Sequence, residues 1–210
     1  MSEDAQVIVL VDDWSFGYPQ RPVLQGWSVR VRSGVSLLQG GDGAGKTTVL
    51  RLLAGALVAQ SGSAALLGQP YPGEGAARSP HVYWVEPRAT GLDALAPDDC
   101  FARWAGRYPL WDGEALQRHV QGFGLAAHLH KAMSQLSTGT QRKVLMAAGL
   151  ASGAALTLLD EPVAGPDRPS IAYLQHALAQ ETDQSGRAIV VAHYEALQGI
   201  VWRDTWVLPG

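Results

Sequence analysis

The sequence predicts an α/β fold in which a mostly parallel sheet is combined with helices and with an inserted helical lobe. Three observations support this prediction. Short β-type segments alternate with helical segments towards both ends of the chain. A glycine-rich loop joins a strand to a helix at residues 40–47, and helical patterns dominate from Asp98 to about Ala151. We therefore expect one α/β unit, with the helical lobe placed between its strands.

The N-terminal part of the chain is rich in β-type segments. Apolar or alternating runs at residues 7–11, 28–32 and 35–39 are bounded by turn residues, and each predicts a strand. After the glycine-rich loop, apolar residues recur at helical spacing in "VLRLLAGALVA". The order strand, glycine loop, helix is the context that a phosphate-binding loop requires.

The middle and the C-terminal part predict helices and further strands. The segments "DDCFARWAGRY", "DGEALQRHVQGF" and "TQRKVLMAAGLA" predict three helices, and Asp112 is suited to be the N-cap of the second. Strands are predicted at residues 155–159 and 188–192, on either side of a helix that opens on a proline. Another apolar segment, "VYWVEP", predicts a strand that ends at Glu86.

Composition narrows the classes of function. The chain has 210 residues, of which 47% are hydrophobic, and its net charge is −3 without any block of basic residues, which argues against nucleic acid as a partner. Its longest apolar runs fall well short of the roughly 18 residues that predict a membrane span. The single cysteine, Cys100, has no partner for an internal disulfide, so we expect a reducing, cytoplasmic location.

The strongest motif is the glycine-rich loop. "GGDGAGKT" at Gly40–Thr47 matches G-x-x-x-x-G-K-[ST] in full, and its glycines allow backbone N–H groups to surround a phosphate chain. Lys46 is expected to reach the β- and γ-phosphates, and the Thr47 hydroxyl is expected to bind Mg²⁺. The alternative, a glycine-rich turn without a ligand, leaves the agreement of strand, loop and helix unexplained.

Two buried strands end in groups that suit phosphate chemistry. "ALTLLDEP" ends in Asp160 and Glu161, and "AIVVAHYEA" carries His193 at the same edge of the sheet. We expect Asp160 to hold Mg²⁺ and Glu161 to accept a proton from the water that attacks the γ-phosphate. A solvated acidic turn and an ordinary strand-end histidine are the alternatives.

A second predicted anion site lies at "LSTGTQRK", residues 136–143. Small hydroxyl side chains and a glycine open a predicted helix there, and a helix start has free N–H groups and a favourable dipole for an anion. One nucleotide in one phosphate loop does not explain a second anion site.

Tyr18, "GGDGAGKTT", "LSTGTQRK", "LLDEP", "VAGPD" and "VAHYE" stand in the order and spacing found in ATP-binding-cassette (ABC) ATPase domains, which this sequence resembles over nearly its whole length. The resemblance implies a P-loop NTPase core with a mostly parallel sheet, an N-terminal antiparallel β-subdomain and an inserted helical subdomain. Residues 1–210 are then one domain, with the core in 1–86 and 152–210 and the helical subdomain in 87–151.

The resemblance also implies roles for individual residues. Tyr18 stacks on adenine, Asp167 belongs to the D-loop, and His193 touches the γ-phosphate. "LSTGT" is the signature motif, which closes over ATP held by a second ATPase subunit in a head-to-tail dimer, so Ser137 and Gly139 contact the partner's nucleotide. The full set of implied nucleotide contacts is Tyr18, Gly40, Gly41, Asp42, Gly43, Ala44, Gly45, Lys46, Thr47, Thr48, Ser137, Gly139 and Asp167.

The sequence departs from the family pattern at three motifs. The signature L-S-G-G-Q reads Leu136 to Thr140 as "LSTGT", and the D-loop reads "GPD" with a stiffening proline. The Q-loop glutamine position falls on Glu86. We interpret Glu86 as an additional Mg²⁺-side acceptor, and the alternative is a solvated loop acid that never meets nucleotide.

The function implied by the resemblance is that of an ATP-binding, ATP-hydrolysing subunit of an ABC transporter. Such a subunit requires ATP and Mg²⁺, lies on the cytoplasmic face of the membrane and energises separately encoded permease subunits. Compact chains of this kind resemble the ATPase subunits of small bacterial exporters. The alternative is a soluble ABC-type ATPase that acts on nucleic acid or ribosomes, although the basic arms and the second cassette usual in that class do not occur in this sequence.

Overall fold

The computed structural model describes residues 6–71, 79–86, 90–181 and 186–209. This part of the chain contains an antiparallel sheet, a parallel sheet and five α-helices, which confirms the predicted α/β class. Within the same ranges, none of the helices combines the length and the apolar character needed to cross a bilayer.

The antiparallel sheet is built mainly from the N-terminal residues. Its strands are β1 (Val7–Tyr18), β2 (Arg21–Arg32), β4 (Ser61–Leu66) and β5 (Gln69–Pro70), in the spatial order β2-β1-β4-β5. The strands predicted at 7–11 and 28–32 are therefore parts of two much longer strands. The pattern is interrupted because register shifts lie between Val11 and Trp14, where Asp13 has a φ of 55°.

The parallel sheet forms the centre of the fold. Its strands are β3 (Gly34–Gln39), β6 (Val82–Tyr83), β7 (Leu156–Asp160), β8 (Ala188–His193) and β9 (Thr205–Val207), in the order β6-β7-β8-β3-β9, and every neighbouring pair is parallel. Every residue of β8 is buried, as expected for a continuous apolar strand covered on both faces.

The strand predicted to end at Glu86 is much shorter than expected. Only Val82 and Tyr83 pair with β7, opposite Leu156 and Thr157. Trp84 to Glu86 follow the strand without pairing in it. The prediction was wrong here because β6 is the edge strand of the sheet and the chain stops pairing with β7 after Tyr83, although β7 continues to Asp160.

The helices follow the predicted order. They are α1 (Lys46–Leu53), α2 (Pro97–Ala105), α3 (Gly113–Gly122), α4 (Thr138–Ala151) and α5 (Arg168–Ala179). Asp112 is the N-cap of α3, as predicted, and its Oδ1 accepts the N–H of Ala115 at 2.8 Å. The first helix ends earlier than its apolar pattern suggests, because Gly55 turns the chain with a φ of 65°.

Apolar side chains form a core on each face of the parallel sheet. On one face, side chains of α2, α4 and α5 pack with Val35, Ile189 and Val191. On the other face, α1 and the antiparallel sheet pack with Leu38 and Val190. The division of the chain into a core and a helical subdomain at residues 87–151 stays a prediction.

The candidate site lies at one edge of the parallel sheet. The carboxyl ends of β3, β7 and β8 form this edge, next to α1.

Candidate functional site

The glycine-rich loop between β3 and α1 has the backbone conformation that its glycines allow. Gly43 and Gly45 have φ values of 76° and 95°, a left-handed region that favours glycine. Gly45 directly precedes α1, and a Cβ added to it would lie 2.4 Å from Val23 Cγ1. The loop is thereby fixed between β2 and the start of α1.

A cavity of about 320 Å³ opens beside this loop. One wall comes from the β1–β2 hairpin of the antiparallel sheet, and the other comes from the loop, α1 and the end of β7. Tyr18 belongs to the first wall, and its hydroxyl oxygen lies 3.4 Å from Thr48 Oγ1. The residues that line the cavity are Tyr18, Arg21, Val23, Gly41, Asp42, Gly43, Gly45, Lys46, Thr47, Thr48 and Glu161.

Lys46 is buried and fully engaged within the chain. Its Nζ donates to the carbonyl oxygens of Gly40 at 2.7 Å and Gly41 at 3.0 Å. It also lies 3.0 Å from Glu161 Oε1, and its side chain is only 6% exposed. An ammonium group has three donors, so these three contacts use all of them.

Thr47 and Asp160 form the second contact between the loop and the sheet edge. The Thr47 hydroxyl donates to Asp160 Oδ2 at 2.7 Å. Asp160 Oδ1 is buried and has no hydrogen-bond partner among the described residues. Burial raises the pKa of the Asp160 carboxyl group, and the hydrogen bond from Thr47 opposes that shift. An unpartnered carboxylate oxygen beside a hydroxyl is a donor set that suits a hard divalent cation such as Mg²⁺.

Glu161 lies between a lysine and a histidine. Besides the contact with Lys46, its Oε2 is 2.6 Å from His193 Nδ1, and the His193 side chain is 4% exposed. The backbone of Glu161 has a φ of 44°, a strained conformation for a residue other than glycine, and its N–H donates to Ala192 O at 2.9 Å. Strands β7 and β8 are parallel neighbours, so their ends bring Glu161 and His193 together as the sequence predicted.

The start of α4 carries "LSTGT" and is exposed at Ser137. Ser137 is the N-cap, since its Oγ accepts the N–H of Thr140 at 3.2 Å. Gly139 packs against the segment that follows Glu161: a Cβ added to it would lie 2.2 Å from the carbonyl oxygen of Gly165. Position 139 therefore requires glycine for packing within the chain, in addition to the nucleotide contact that the resemblance implies.

Asp167 is tied to both helices beside it. Its Oδ1 accepts the N–H of Ser170 at 2.9 Å and so caps α5, while its Oδ2 lies 3.0 Å from Lys143 Nζ on α4. The hydrogen bonds from Ser170, followed by the one from Lys143, hold the pKa of Asp167 below its ordinary value. Arg142 donates to the carbonyl oxygen of Ala164 in the same region.

The chain matches known proteins in sequence and in fold. The ABC transporter family model matches residues 24–164. The chain belongs to the ABC transporter family.

Two relatives and one solved structure show how far the similarity extends. The "Cytochrome c biogenesis ATP-binding export protein CcmA" of Pseudomonas savastanoi is 31% identical over 83% of this chain and 82% of its own length. The "Zinc transport system ATP-binding protein TroB" of Treponema pallidum is 29% identical over 89% of this chain and 72% of its own. A putative ABC transporter ATP-binding protein from Pyrococcus furiosus shares the fold with a TM-score of 0.76 and 21% identity, over 95% of this chain and 96% of that one.

As an ABC transporter ATP-binding domain, the chain binds and hydrolyses ATP, and its fold confirms the P-loop NTPase architecture with its antiparallel and parallel sheets. The structure gathers Tyr18, the phosphate loop and Glu161 around one cavity, with Asp160 and His193 directly beside it. Ser137 and Gly139 lie at the start of α4, and Asp167 lies at the start of α5, where it contacts Lys143 of α4; none of the three lines that cavity.

The structure places Glu86 against α1 of this ABC ATPase. Its Oε1 forms an ion pair with Arg51, whose side chain is 34% exposed. The hydrogen bond with the Glu86 carboxylate raises the pKa of the Arg51 guanidinium. Glu86 does not line the cavity beside the phosphate loop. Its role as a Mg²⁺-side acceptor stays a prediction, and Arg51 is a competitor for the same carboxylate.

Sequence reasoning missed three basic residues that the ABC fold brings into contact with its motifs. They are Arg21, which donates to Gly43 O, Arg51, and Lys143. Arg51 stands four residues after Thr47, one helical turn away, so helix periodicity alone could have placed it on the same face of α1. Lys143 likewise stands four residues after Gly139 on α4, whereas Arg21 carried no signal of this kind, because it lies in the β1–β2 hairpin, far from Gly43 in the sequence.

Proposed function

We propose that this chain is the ATP-hydrolysing subunit of an exporter and docks from the cytoplasm onto separately encoded membrane permease subunits. The observation that carries the enzymatic part is the Glu161 carboxylate held between Lys46 and His193 at the cavity beside the phosphate loop. The export direction is supported by the relative from Pseudomonas savastanoi, whose name describes an export protein.

The chemistry proposed for the site is in-line transfer of the γ-phosphoryl group to water. Lys46 exchanges its contact with Glu161 for the β- and γ-phosphate oxygens, which frees the carboxylate. Glu161 then accepts a proton from the attacking water, whose oxygen bonds to the γ-phosphorus while the bond to the β–γ bridging oxygen breaks and ADP leaves. His193 holds the other carboxylate oxygen of Glu161, and the resemblance to ABC ATPases implies that it also contacts the γ-phosphate.

Thr47 and Asp160 are the residues proposed to hold Mg²⁺, with Glu86 as a further acceptor. The unpartnered Asp160 Oδ1 supports this assignment. When bound, Mg²⁺ neutralises charge on the β- and γ-phosphate oxygens. Thr47 and Asp160 would supply a hydroxyl and a carboxylate ligand, and Mg²⁺ in proteins is commonly bound by one or two carboxylates together with substrate phosphates.

Hydrolysis is proposed to take place in a head-to-tail dimer with a second ATPase subunit. Ser137 and Thr138 are exposed at the N-terminus of α4, where free N–H groups and the helix dipole favour an anion. A second copy, or a related subunit, would place its ATP there. Docking on permease subunits and dimerisation are separable and can be tested independently.

Exchanging Ser137 for glutamate is expected to abolish ATP-driven dimerisation of the Glu161→Gln protein, because a carboxylate would face the partner's γ-phosphate. Light scattering in the presence of ATP measures the association. Ser134→Glu, an exposed position in the preceding turn Met133–Gln135, is the matched control and should dimerise normally. Ser137→Ala removes the N-cap of α4 without adding a charge, so it measures the effect of the lost cap alone, which costs about 1 kcal/mol of stability. An ATP-bound Glu161→Gln protein that stays monomeric, even with its permease, contradicts the dimer.

Changing Glu86 to glutamine is expected to shift the Mg²⁺ dependence of ATP hydrolysis to higher Mg²⁺ concentration and to lower the rate less than Glu161→Gln does. The reason is that the amide keeps the size of the side chain but loses the charge that attracts the cation. Arg51→Gln is the complementary change, because it removes the counter-ion and leaves the carboxylate, so we expect the opposite shift. Identical Mg²⁺ titrations for the wild type and both variants would identify Glu86 as a surface ion-pair residue.

Co-purification tests the transporter assignment as a whole. The tagged chain is isolated from detergent-solubilised membranes of its own source, and we expect a hydrophobic multi-span protein to accompany it in a fixed ratio. A chain that enriches nucleic acid or ribosomes and no membrane protein would overturn the exporter proposal in favour of a soluble ABC ATPase. Reconstituting the purified complex in vesicles then decides the direction of transport.

A further inference from the structure

We propose that Arg21 is a second cationic contact for the phosphate chain of the nucleotide, in addition to Lys46. Arg21 lines the same cavity as the phosphate loop, and its Nη2 donates to the carbonyl oxygen of Gly43 within that loop at 2.7 Å. This inference rests on ATP binding in this cavity and adds a residue that lies outside the motifs of the phosphate loop.

The β1–β2 hairpin places Arg21 beside Tyr18. The two residues are paired across the strands at the closed end of the hairpin, where Gln20 has a φ of 64°. Pairing at this point presents an aromatic ring and a guanidinium group side by side to one cavity. Tyr18 is the aromatic surface suited to a base, and the loop beside Arg21 is the part suited to phosphates.

The phosphate loop makes room for the guanidinium group. A Cβ added to Gly43 would lie 3.3 Å from Arg21 Nη2, so the guanidinium group would have to shift by a few tenths of an ångström to admit it. Gly43 has a φ of 76°, a backbone conformation that favours glycine, so the position next to the guanidinium group carries no side chain. The guanidinium group can therefore lie directly on the loop that surrounds the phosphates.

Of the two basic side chains that line this cavity, Arg21 is the one with unused hydrogen-bond donors. A guanidinium has five N–H donors, and the contact with Gly43 uses one. In the residues that the structure describes, no carboxylate forms an ion pair with Arg21, whereas Lys46 already has three acceptors. Asp42 and Glu161 line the cavity as anionic groups. A polyphosphate entering the cavity would therefore gain its most available positive charge from Arg21.

The test measures the affinity of Arg21→Gln for AMP, ADP and ATP by calorimetry in EDTA, so that neither hydrolysis nor metal affects the result. We expect the dissociation constant for ATP to rise about tenfold to a hundredfold, with a smaller rise for ADP and the smallest for AMP. The slope of affinity against salt concentration should also decrease, because one charge contact is lost. Arg21→Lys, which keeps the charge, should retain most of the ATP affinity.

Arg30→Gln is the matched control, since Arg30 is an exposed arginine of the same strand outside this cavity. Thermal unfolding without nucleotide shows whether each variant is folded. An equal loss for all three nucleotides would indicate contact with the base or ribose and would overturn the proposal. So would an unchanged salt slope, which would mean that Arg21 only holds the Gly43 carbonyl, or an ATP affinity equal to that of Arg30→Gln. Normal ATP binding by the wild type in the same experiment keeps the nucleotide site itself separate from the role of Arg21.

Discussion

The Glu161→Gln protein is expected to bind ATP normally and to hydrolyse it about a hundred to ten thousand times more slowly than the wild type. Glutamine keeps the size of the side chain and can still occupy the space between Lys46 and His193. Its amide cannot accept a proton from water at neutral pH, so the loss falls on the chemical step. The backbone at φ 44° is equally strained for both residues, so the fold should be preserved.

Phosphate release and nucleotide affinity are measured on the same preparation. Glu114→Gln, which changes an exposed acid near the start of α3, is the control for the loss of one carboxylate and should leave the rate unchanged. Near-normal turnover by a folded Glu161→Gln protein would remove Glu161 from the role of general base. His193→Gln, alone and combined with Glu161→Gln, can then show whether the histidine acts through Glu161. If the two residues work as one unit, the loss of rate in the combined variant, expressed as free energy, should be smaller than the sum of the two separate losses.

Lys46→Ala should weaken ATP binding by about a hundredfold or more, since it removes the charge-assisted contacts to the phosphates. The structure predicts a second effect of this substitution, on the stability of the fold. Lys46 is buried and satisfies two loop carbonyl groups and Glu161, so its removal also leaves these acceptors without their donor. We therefore expect a measurable loss of stability in the absence of nucleotide, in addition to the loss of affinity.

Calorimetric titration with ATP and thermal unfolding separate these two effects. Lys131→Ala, at an exposed position between α3 and α4, controls for the loss of one positive charge. If Lys46→Ala bound ATP as tightly as Lys131→Ala does, the loop would not be the phosphate site, and the proposals for Arg21 and Glu161 would fail together with it. A fall in stability with unchanged affinity would lead to the same conclusion and would leave Lys46 only a structural role in the loop.

Much of the fold could be predicted because its signals are local. The apolar run of β8, the helix start at Asp112 and the glycines of the phosphate loop each depend on residues that are neighbours in the sequence. Local signals also explain the errors. Strand β1 continues through a bulge that hides its pattern, and "VYWVEP" has the composition of a strand although β7 pairs with only two of its residues.

The candidate site likewise has a part that the sequence predicted and a part that it did not. Motif spacing led to the phosphate loop and to the ends of β7 and β8, and parallel pairing then explains why Glu161 and His193 meet. The pairing of Glu86 with Arg51 and the approach of Arg21 to Gly43 join segments that are distant in the sequence. These contacts form only when α1 and the β1–β2 hairpin pack in the folded chain, so no local sequence pattern predicts which residues pair.

The close approach of Gly139 to Gly165 has a mechanical consequence. The two backbones touch without room for a methyl group between them, and Arg142 and Lys143 clamp the same segment at Ala164 and Asp167. We therefore expect the segment that follows Glu161 and the first turn of α4 to move together as one rigid unit. In the proposed head-to-tail dimer, we expect a shift that begins at one γ-phosphate to reach the opposite nucleotide through this backbone contact, which would couple the two hydrolysis events.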